Sequence, residues 1–225
     1  MNQSVIQAKN ITLKYPNGNI ALKDIGFECD KGEIVFIVGP SGSGKTSLLK
    51  LFMGIEQPSQ GELSILGEKV HASNIQKIRQ SIGPVFQEFR LLEGRTTLEN
   101  VMMGMRFLNY NLKEMRDQSE KALVRVGLEH KIHSDVDHLS WGESQRVAIA
   151  RAVARNPKLI IADEPTGNLD HANAINILEL LTSFKDEETT VLITTHATHL
   201  IETRERHHLI TMNQGQLLWE KKCYE

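Results

Sequence analysis

A glycine-rich segment near residue 40 has the composition of a loop that binds phosphate. The pattern G-x-x-x-x-G-K-[ST] is filled at every fixed position by Gly39, Pro40, Ser41, Gly42, Ser43, Gly44, Lys45 and Thr46, and Ser47 follows. Glycines let successive backbone N–H groups face an anion at a helix N-terminus. Lys45 can supply a mobile charge to the β- and γ-phosphates, and the Thr46 hydroxyl can ligate Mg²⁺. The alternative is an incidental Gly/Ser turn, but the complete pattern predicts binding of a nucleoside triphosphate.

Two adjacent carboxylates end an apolar segment farther along the chain. Asp163 and Glu164 directly follow Leu159-Ile160-Ile161-Ala162. At the carboxyl edge of a parallel sheet such residues face the ligand crevice, and strand alternation points the two side chains differently. We expect Asp163 to hold the metal and Glu164 to act as general base on the attacking water. The alternative is a strand-end turn with solvated acids.

A histidine ends the next apolar segment. His196 follows Val191-Leu192-Ile193-Thr194-Thr195, so a parallel arrangement brings it to the same edge as Glu164. A lone histidine at a strand end is more often structural. The shared edge nevertheless favours a contact between His196 and the γ-phosphate.

The elements that must position these residues begin with strands. Residues Val5 to Tyr15 and Ala21 to Cys29 predict a hairpin around Pro16-Asn17-Gly18, and Glu33 to Val38 predicts a buried strand before the glycine-rich loop. A helix is predicted over Thr46 to Met53, ending at Gly54.

The middle of the chain has helical patterning. Residues of about 74 to 136 are predicted to be helical with interruptions near Gly83-Pro84 and Gly94, and helices are expected over Leu98 to Leu108 and Leu112 to Val126. After Leu139, helices and strands alternate: the predicted helices are Glu143 to Arg155 and Ala172 to Phe184, and the predicted strands are Lys158 to Ala162 and Thr190 to Thr195. This alternation indicates an α/β fold with a parallel sheet, into which the helical middle is inserted.

Composition excludes several classes of protein. The 225 residues are 40% hydrophobic, with a formal net charge of −2 that argues against a dedicated nucleic-acid binder. No signal peptide or membrane-spanning segment is expected, so a membrane role must come through a partner. Cys29 and Cys223 lie far apart in sequence, which favours a reducing cytosol, and His207-His208 is expected on the surface.

One further segment resembles a known family. Leu139-Ser140-Trp141-Gly142-Glu143, followed by Ser144-Gln145-Arg146, is similar to the signature of the ATP-binding cassette (ABC) ATPases, and the resemblance covers nearly the whole chain. It implies a P-loop NTPase core with an N-terminal antiparallel β subdomain and an inserted helical subdomain. The implied organisation is one nucleotide-binding domain over 1–225, with the core at about 1–86 and 139–225 and the helical subdomain at about 87–138.

The resemblance also implies a role for the signature in a dimer. In the family this segment completes the site of the opposing subunit, so two chains sandwich two ATP molecules. Ser140, Gly142 and Glu143 are the residues that would contribute here, through a hydroxyl and a helix N-terminus. The alternative is an ordinary Ser N-cap with Glu143 in a capping box, and both can hold together.

Other positions correspond to family residues one by one. Gln87 resembles the glutamine that reaches Mg²⁺ and relays nucleotide state to the membrane partner. Tyr15 is placed like the aromatic residue that stacks on adenine, although it could instead pack on the core as a strand residue. Asp170 ends a segment, Pro165 to Asp170, that resembles the loop joining the catalytic centres of the two subunits.

Two residues depart from the family pattern. Trp141 stands where glycine is usual, so its indole could obstruct closure of a dimer or lie over the neighbouring phosphate loop. Ala197 follows His196 where an acidic residue is common, so the histidine could lack one orienting partner.

Within the family the chain is similar to the branch of FtsE, LolD and MacB ATPases, through Glu164 to Asp170. Residues Phe89 to Val101, with Arg90 and Arg95, resemble the FtsE type most. This implies a peripheral subunit at the cytoplasmic face of the inner membrane, with an FtsX-like integral membrane subunit docking near Phe89 to Val101. The alternatives are a LolD-like or MacB-like subunit for lipoprotein release or efflux, or a soluble ABC protein acting on nucleic acid.

Overall fold

A computed structural model describes residues 4–198, 201 and 207–223, with the side chains of 219–223 excepted, so the side chain of Cys223 lies outside this description. The strands are β1 (Ser4–Lys14), β2 (Ile20–Asp30), β3 (Ile34–Val38), β4 (Gln60–Ile65), β5 (Glu68–Lys69), β6 (Ile82–Val85), β7 (Leu159–Asp163), β8 (Thr190–Thr195), β9 (His207–Asn213) and β10 (Gln216–Cys223). The α-helices are α1 (Lys45–Phe52), α2 (Ile75–Gln80), α3 (Thr97–Met102), α4 (Leu112–Arg125), α5 (Trp141–Val153) and α6 (His171–Ser183). Among these helices none has both the length and the apolar character needed to cross a bilayer.

A six-stranded sheet forms the centre of the fold, in the order β10-β9-β3-β8-β7-β6. The strands β9, β3, β8, β7 and β6 are parallel, and β10 pairs antiparallel with β9 at one edge. All five residues of β7 and all six of β8 are buried, as expected for strands covered on both faces. The predicted α/β fold with a parallel sheet is therefore confirmed.

Alternation along β3 directs its side chains into two separate cores. Phe36 and Val38 join the core formed by α3, α4, α5 and α6, whereas Val35 and Ile37 join the core formed by α1 and the second sheet. The central sheet is therefore covered on one face by α1 and on the other by α5 and α6, which fixes the direction in which its strand ends project.

The second sheet is antiparallel, in the order β2-β1-β4-β5. The predicted hairpin forms β1 and β2, and its turn is closed by the Gly18 N–H, which donates to the Tyr15 carbonyl at 2.9 Å. Gly18 has a φ of +88°, a value that suits glycine. The turn brings Tyr15, at the end of β1, close to the first turn of α1.

Two sequence-based expectations about residues in the central sheet need correction. The interruption at Gly83-Pro84 is a strand, β6, rather than a break between helices. Proline is tolerated there because β6 is an edge strand, and Gly83 is needed because a Cβ would lie 2.8 Å from the Ala152 carbonyl of α5. His207 and His208 are buried in β9 rather than exposed, because β9 is an interior strand of the sheet.

The helix expected over Leu98 to Leu108 is shorter than predicted. It consists of α3 and a 3₁₀ turn, Met103–Met105. At Gly104 the chain comes close to α5, since a Cβ there would lie 2.8 Å from the Arg151 carbonyl. A tight approach between backbones thus shapes the end of this helix, and helical periodicity carries no signal for it.

Candidate active site

The carboxyl ends of β3, β7 and β8 meet at one edge of the central sheet. These three strands are neighbours, with β8 between the other two. The glycine-rich loop follows β3, Glu164 follows β7, and His196 follows β8. The sheet order therefore brings together the three segments that the sequence predicted at this edge.

The loop between β3 and α1 is curled by its glycines. Gly44 is the N-cap of α1 with a φ of +103°, and a Cβ on Gly39 would lie 2.3 Å from the Met212 carbonyl. Pro40, Ser41, Gly42 and Thr46 are exposed, whereas Ser43 is buried and its Oγ has no hydrogen-bond partner among the residues that the structure describes. A buried hydroxyl without a partner, next to exposed residues at a helix N-terminus, suits a loop shaped to receive an anion.

Lys45 is enclosed by the loop that it ends. Its side chain is only 4% exposed, and its Nζ donates to the carbonyls of Gly39 at 2.8 Å and Pro40 at 3.1 Å. The same Nζ lies 3.3 Å from Oε1 of Glu164. A buried ammonium requires such partners, and they hold its charge at the mouth of the loop.

Glu164 stands between two nitrogen atoms. Its Oε1 faces Lys45, and its Oε2 lies 3.2 Å from Nδ1 of His196. Its φ of +43° is unusual for a residue with a side chain, and it turns the chain sharply after β7. Glu164 is thus oriented at the sheet edge by contacts from the loop after β3 and the end of β8.

Asp163 and Glu164 share one organising residue that the sequence analysis missed. The buried Thr194 hydroxyl donates to Oδ1 of Asp163 at 2.8 Å and accepts the Glu164 N–H at 2.9 Å. In the register of β7 and β8, Thr194 is the partner of Asp163. The sequence held one signal for Thr194: it stands near the end of its apolar strand, as Asp163 stands at the end of the preceding one. Parallel strands that end at the same sheet edge place such residues opposite each other.

Tyr15 lies beside the first turn of α1. Its hydroxyl is 3.2 Å from the Ser47 hydroxyl, and the side chain is partly exposed. The Tyr15 ring therefore borders the glycine-rich loop, and the side chain also packs against the core of the second sheet. Both interpretations of Tyr15 remain compatible with this position.

Gln87 and the segment after Glu164 are close neighbours. Gln87 is exposed after β6, and a Cβ on Gly167 would lie 3.8 Å from its Nε2. Asp170 caps α6, since it accepts the Asn173 N–H at 2.9 Å. This hydrogen bond lowers the pKa of the exposed Asp170 carboxyl, so the cap stays charged at neutral pH.

The signature segment forms a complete capping box at the start of α5. The Ser140 Oγ accepts the Glu143 N–H at 3.3 Å, and Glu143 accepts the Ser140 N–H at 2.8 Å. The second bond is the main cause of the lowered pKa of Glu143, and Lys131 lies 3.6 Å from the same carboxylate. The Cβ position of Gly142 faces open space. Within the described ranges, no hydrogen bond or ion pair joins this box to the glycine-rich loop of the same chain. The expected helix cap is therefore present in the single chain.

Trp141 packs against the segment that follows Gln87. Its ring lies edge-on to Phe89, with centroids 4.5 Å apart, and is 48% exposed. Both expectations for Trp141, that it obstructs closure of a dimer or lies over the neighbouring phosphate loop, refer to a second copy of the chain. The contacts within one chain therefore do not test them. The contact with Phe89 is a further finding of the structure.

Known proteins are similar to this chain over almost its whole length. A family model described as ABC transporter matches residues 22–167. The FtsE cell division ATP-binding protein of Streptococcus pneumoniae is 37% identical over 218 residues, which cover 96% of this chain and 94% of that protein. Escherichia coli FtsE is 38% identical over 216 residues, covering 95% and 97% of the two chains. A phosphonates import ATP-binding protein, PhnC of Lactobacillus gasseri, is 36% identical over 237 residues and covers 100% of this chain and 90% of its own.

Solved structures are similar over almost the same length. CbiO1 of Clostridium perfringens, part of the ABC transporter complex CbiONQ, has a TM-score of 0.89 at 30% identity, covering 99% of this chain and 89% of its own. A dimeric ATP-binding cassette in a post-hydrolysis state with ADP and Pi has a TM-score of 0.85 at 34% identity, covering 98% and 99%. The chain therefore belongs to the ABC transporter family, as one of its ATP-binding and ATP-hydrolysing cassettes.

Proposed function

We propose that this chain is the ATPase subunit of an FtsE–FtsX-like complex, which dimerises on ATP and regulates cell-wall hydrolysis through a separate membrane subunit. The observation that carries the ATPase part is the meeting of Lys45, Glu164 and His196 at one sheet edge. The FtsE relatives, similar over nearly their whole length, support the cell-division part. Such a subunit works at the cytoplasmic face of the inner membrane and is held there by its partner.

The residues of the loop fit the phosphates of ATP. Bound ATP supplies the γ-phosphoryl group that is transferred to water. Within residues 39–47 Pro40 has no N–H and the Ser43 N–H donates to the Pro40 carbonyl at 3.2 Å, so the other backbone N–H groups offer hydrogen bonds to the phosphates. The Ser43 hydroxyl, which has no partner among the described residues, can add another, and Lys45 offers charge. Tyr15 borders the loop where a base would extend, and its ring can stack on adenine.

The oxygen-bearing residues fit Mg²⁺ held jointly with phosphate. Among the described residues no cluster of three or more His, Cys, Asp or Glu could hold a metal alone. Mg²⁺ commonly takes one or two protein oxygens together with substrate phosphates and water. We assign Thr46, Asp163 and Gln87 to this metal, with Asp163 oriented by Thr194.

Glu164 is assigned as the general base of hydrolysis. Its carboxylate is fixed between Lys45 and His196 and can accept the proton of an attacking water. His196, which is mostly exposed, orients Glu164 and can donate to the γ-phosphate. Ser140, Gly142 and Glu143 would act on the nucleotide of a second chain, and Asp170 would lie between the two centres.

A groove at the proposed partner segment suits an amphipathic helix. It has a volume of about 530 Å³ and is mainly apolar, with Leu92 and Leu112 exposed on it. Its charged lining residues are two arginines, Arg95 and Arg106, and one glutamate, Glu99. A helix from the membrane subunit with an apolar face and acidic flanks would bury the apolar residues of the groove. Its acidic residues would pair with Arg95 and Arg106. The remaining lining residues are Met102, Met103 and Met115.

The test of this proposal uses the charge of the groove. Arg95→Glu with Arg106→Glu should abolish co-purification with an FtsX-like membrane protein and leave ATP binding unchanged. Arg116→Glu is the matched control, because Arg116 is exposed on α4 and does not line the groove. Retention of the partner by the double variant would show that the membrane subunit binds elsewhere on the chain.

A second candidate, an import ATPase, is supported by the PhnC relatives, which match over the whole chain. The two candidates differ in the membrane protein that they bind, and therefore in what co-purifies from membranes. An FtsX-like partner would favour division, and a transporter permease would favour import.

A further inference from the structure

Helix α5 holds the segment after Gln87 at two separate points. At the start of the helix, the Trp141 ring contacts the Phe89 ring edge-on. Near its end, the Arg151 guanidinium donates to the carbonyl of Phe89 and, at 2.7 Å, to that of Arg90. The two points lie on one helix, so the Phe89-Arg90 turn is attached to α5 at both of them.

The backbone of this turn is held in an unusual conformation. Arg90 has a φ of +50°, which is uncommon for a residue with a side chain and persists only where the surroundings enforce it. The bonds from Arg151 and the stacking of Arg90 over the Phe86 ring at 4.3 Å supply that enforcement. The segment is therefore a fixed connection rather than a loose loop.

The connection joins two parts of the proposed mechanism. Phe89 is two residues from Gln87, which lies near Gly167 in the segment after Glu164, and Trp141 lies between Ser140 and Gly142 of the signature. The pair of rings is thus a direct contact between the two parts. Edge-on aromatic pairs have a geometric preference, so the contact defines a position as well as an attraction.

We propose that Trp141 is a positioning residue for ATP hydrolysis: through Phe89 it sets the position of the signature turn relative to Gln87. The inference rests on the proposed dimer, because the signature acts on the nucleotide of the second chain. Trp141 does not contact the reacting atoms of its own site, so its removal changes turnover without changing the affinity of one chain for ATP.

The test is a double-mutant cycle on turnover. Phe89→Ala, Trp141→Ala and the double variant are compared at saturating Mg-ATP, and ATP affinity is measured by calorimetry on monomeric protein. We expect each single variant to lower kcat, the double variant to be no slower than the slower single one, and a non-additivity of about two- to tenfold, the range of an aromatic pair. Affinity should stay unchanged. Trp141→Phe should restore most of the rate, and Phe107→Ala, at an 88% exposed side chain, is the matched control.

A fluorescence measurement separates positioning from a merely structural role. In a Trp219→Phe background, the emission of Trp141 should shift with Phe89→Ala and again when Glu164→Gln protein dimerises in Mg-ATP. Two results would overturn the inference in conditions where the dimer forms. One is that the two substitutions affect kcat independently, and the other is that Trp141 emission does not change with Phe89→Ala. If Glu164→Gln protein forms no dimer with Mg-ATP, the proposed function fails as well, so size-exclusion chromatography of that variant tells the two failures apart.

Discussion

A single hydroxyl sets the geometry of both carboxylates in the candidate site. Thr194 donates to the buried Asp163 and accepts from the N–H of Glu164, so the proposed metal ligand and the proposed general base are both hydrogen-bonded to β8. The strained φ of Glu164 is compatible with this arrangement, because that N–H has a partner at the turn. The side chain is therefore free to face Lys45 and His196.

Thr194→Val keeps the shape of this residue and removes both hydrogen bonds. We expect the free energy of unfolding to fall by about 1–3 kcal/mol, because buried polar groups lose their partners, and hydrolysis to fall by about tenfold or more as Asp163 and Glu164 lose orientation. Thr195→Val is the control, since Thr195 is equally buried and, within the described part of the chain, its hydroxyl bonds only the Ala197 N–H. Chemical denaturation and a phosphate-release assay provide the measurements. Equal loss of activity in the two variants would contradict a specific role for Thr194.

Lys45→Ala tests the charge of the phosphate loop. Removal of the Lys45 charge leaves the negative charge of the phosphates uncompensated in a partly dry site. By analogy with truncated buried charge pairs, this costs about 2–5 kcal/mol of binding free energy. ATP binding should become undetectable by calorimetry. Lys50→Ala, on the same helix, should bind as the natural protein does. Binding of similar strength in both variants would remove the nucleotide assignment from this loop.

Among the helices and strands, sequence patterns predicted those with a strong local signal. The hairpin of β1 and β2, the loop-to-helix start at Lys45 and the helix α4 lie within a few residues of their predicted positions. The strand β6 was missed because Gly83-Pro84 is a turn signal, whereas the parallel pairing with β7 that forms the strand is a long-range feature. The edge position and the close approach of α5 explain why proline and glycine are accepted there. Burial of His207 and His208 likewise depends on sheet order, which a single strand's composition does not encode.

The start of α5 combines a helix cap with the proposed signature contact, and a pair of substitutions separates the two. Ser140→Ala should lower stability by about 1 kcal/mol through loss of the cap and should also lower hydrolysis. Ser140→Asp keeps an oxygen that can cap the helix but places a negative charge where a γ-phosphate would approach. It should retain stability and still lose hydrolysis. Full activity of Ser140→Asp would mean that Ser140 serves only as a cap.

In the whole molecule, the described contacts divide the proposed site into two surfaces. On the first, Glu164 contacts both Lys45 and His196. On the second, Glu143 bonds Ser140 and forms an ion pair with Lys131. Residue types and strand ends were sufficient to predict the first surface. They could not place the second, because its proposed target belongs to another copy of the chain. Two copies in opposite orientation would bring each signature to the other's loop, an isologous arrangement that a twofold axis closes.

Glu164→Gln tests this arrangement, because it keeps the shape of the side chain and its hydrogen bonding but cannot accept a proton. Hydrolysis should drop by about 10²-fold or more, and unhydrolysed ATP should then hold two chains together. Sedimentation with Mg-ATP should show mainly dimer, and the same variant with Mg-ADP should show monomer, because the γ-phosphate that the signature would bind is missing. Adding Lys45→Ala to the variant should abolish the dimer by removing ATP binding. A variant that hydrolyses ATP normally, or stays monomeric with Mg-ATP, would contradict Glu164 as general base or ATP as the contact between two chains.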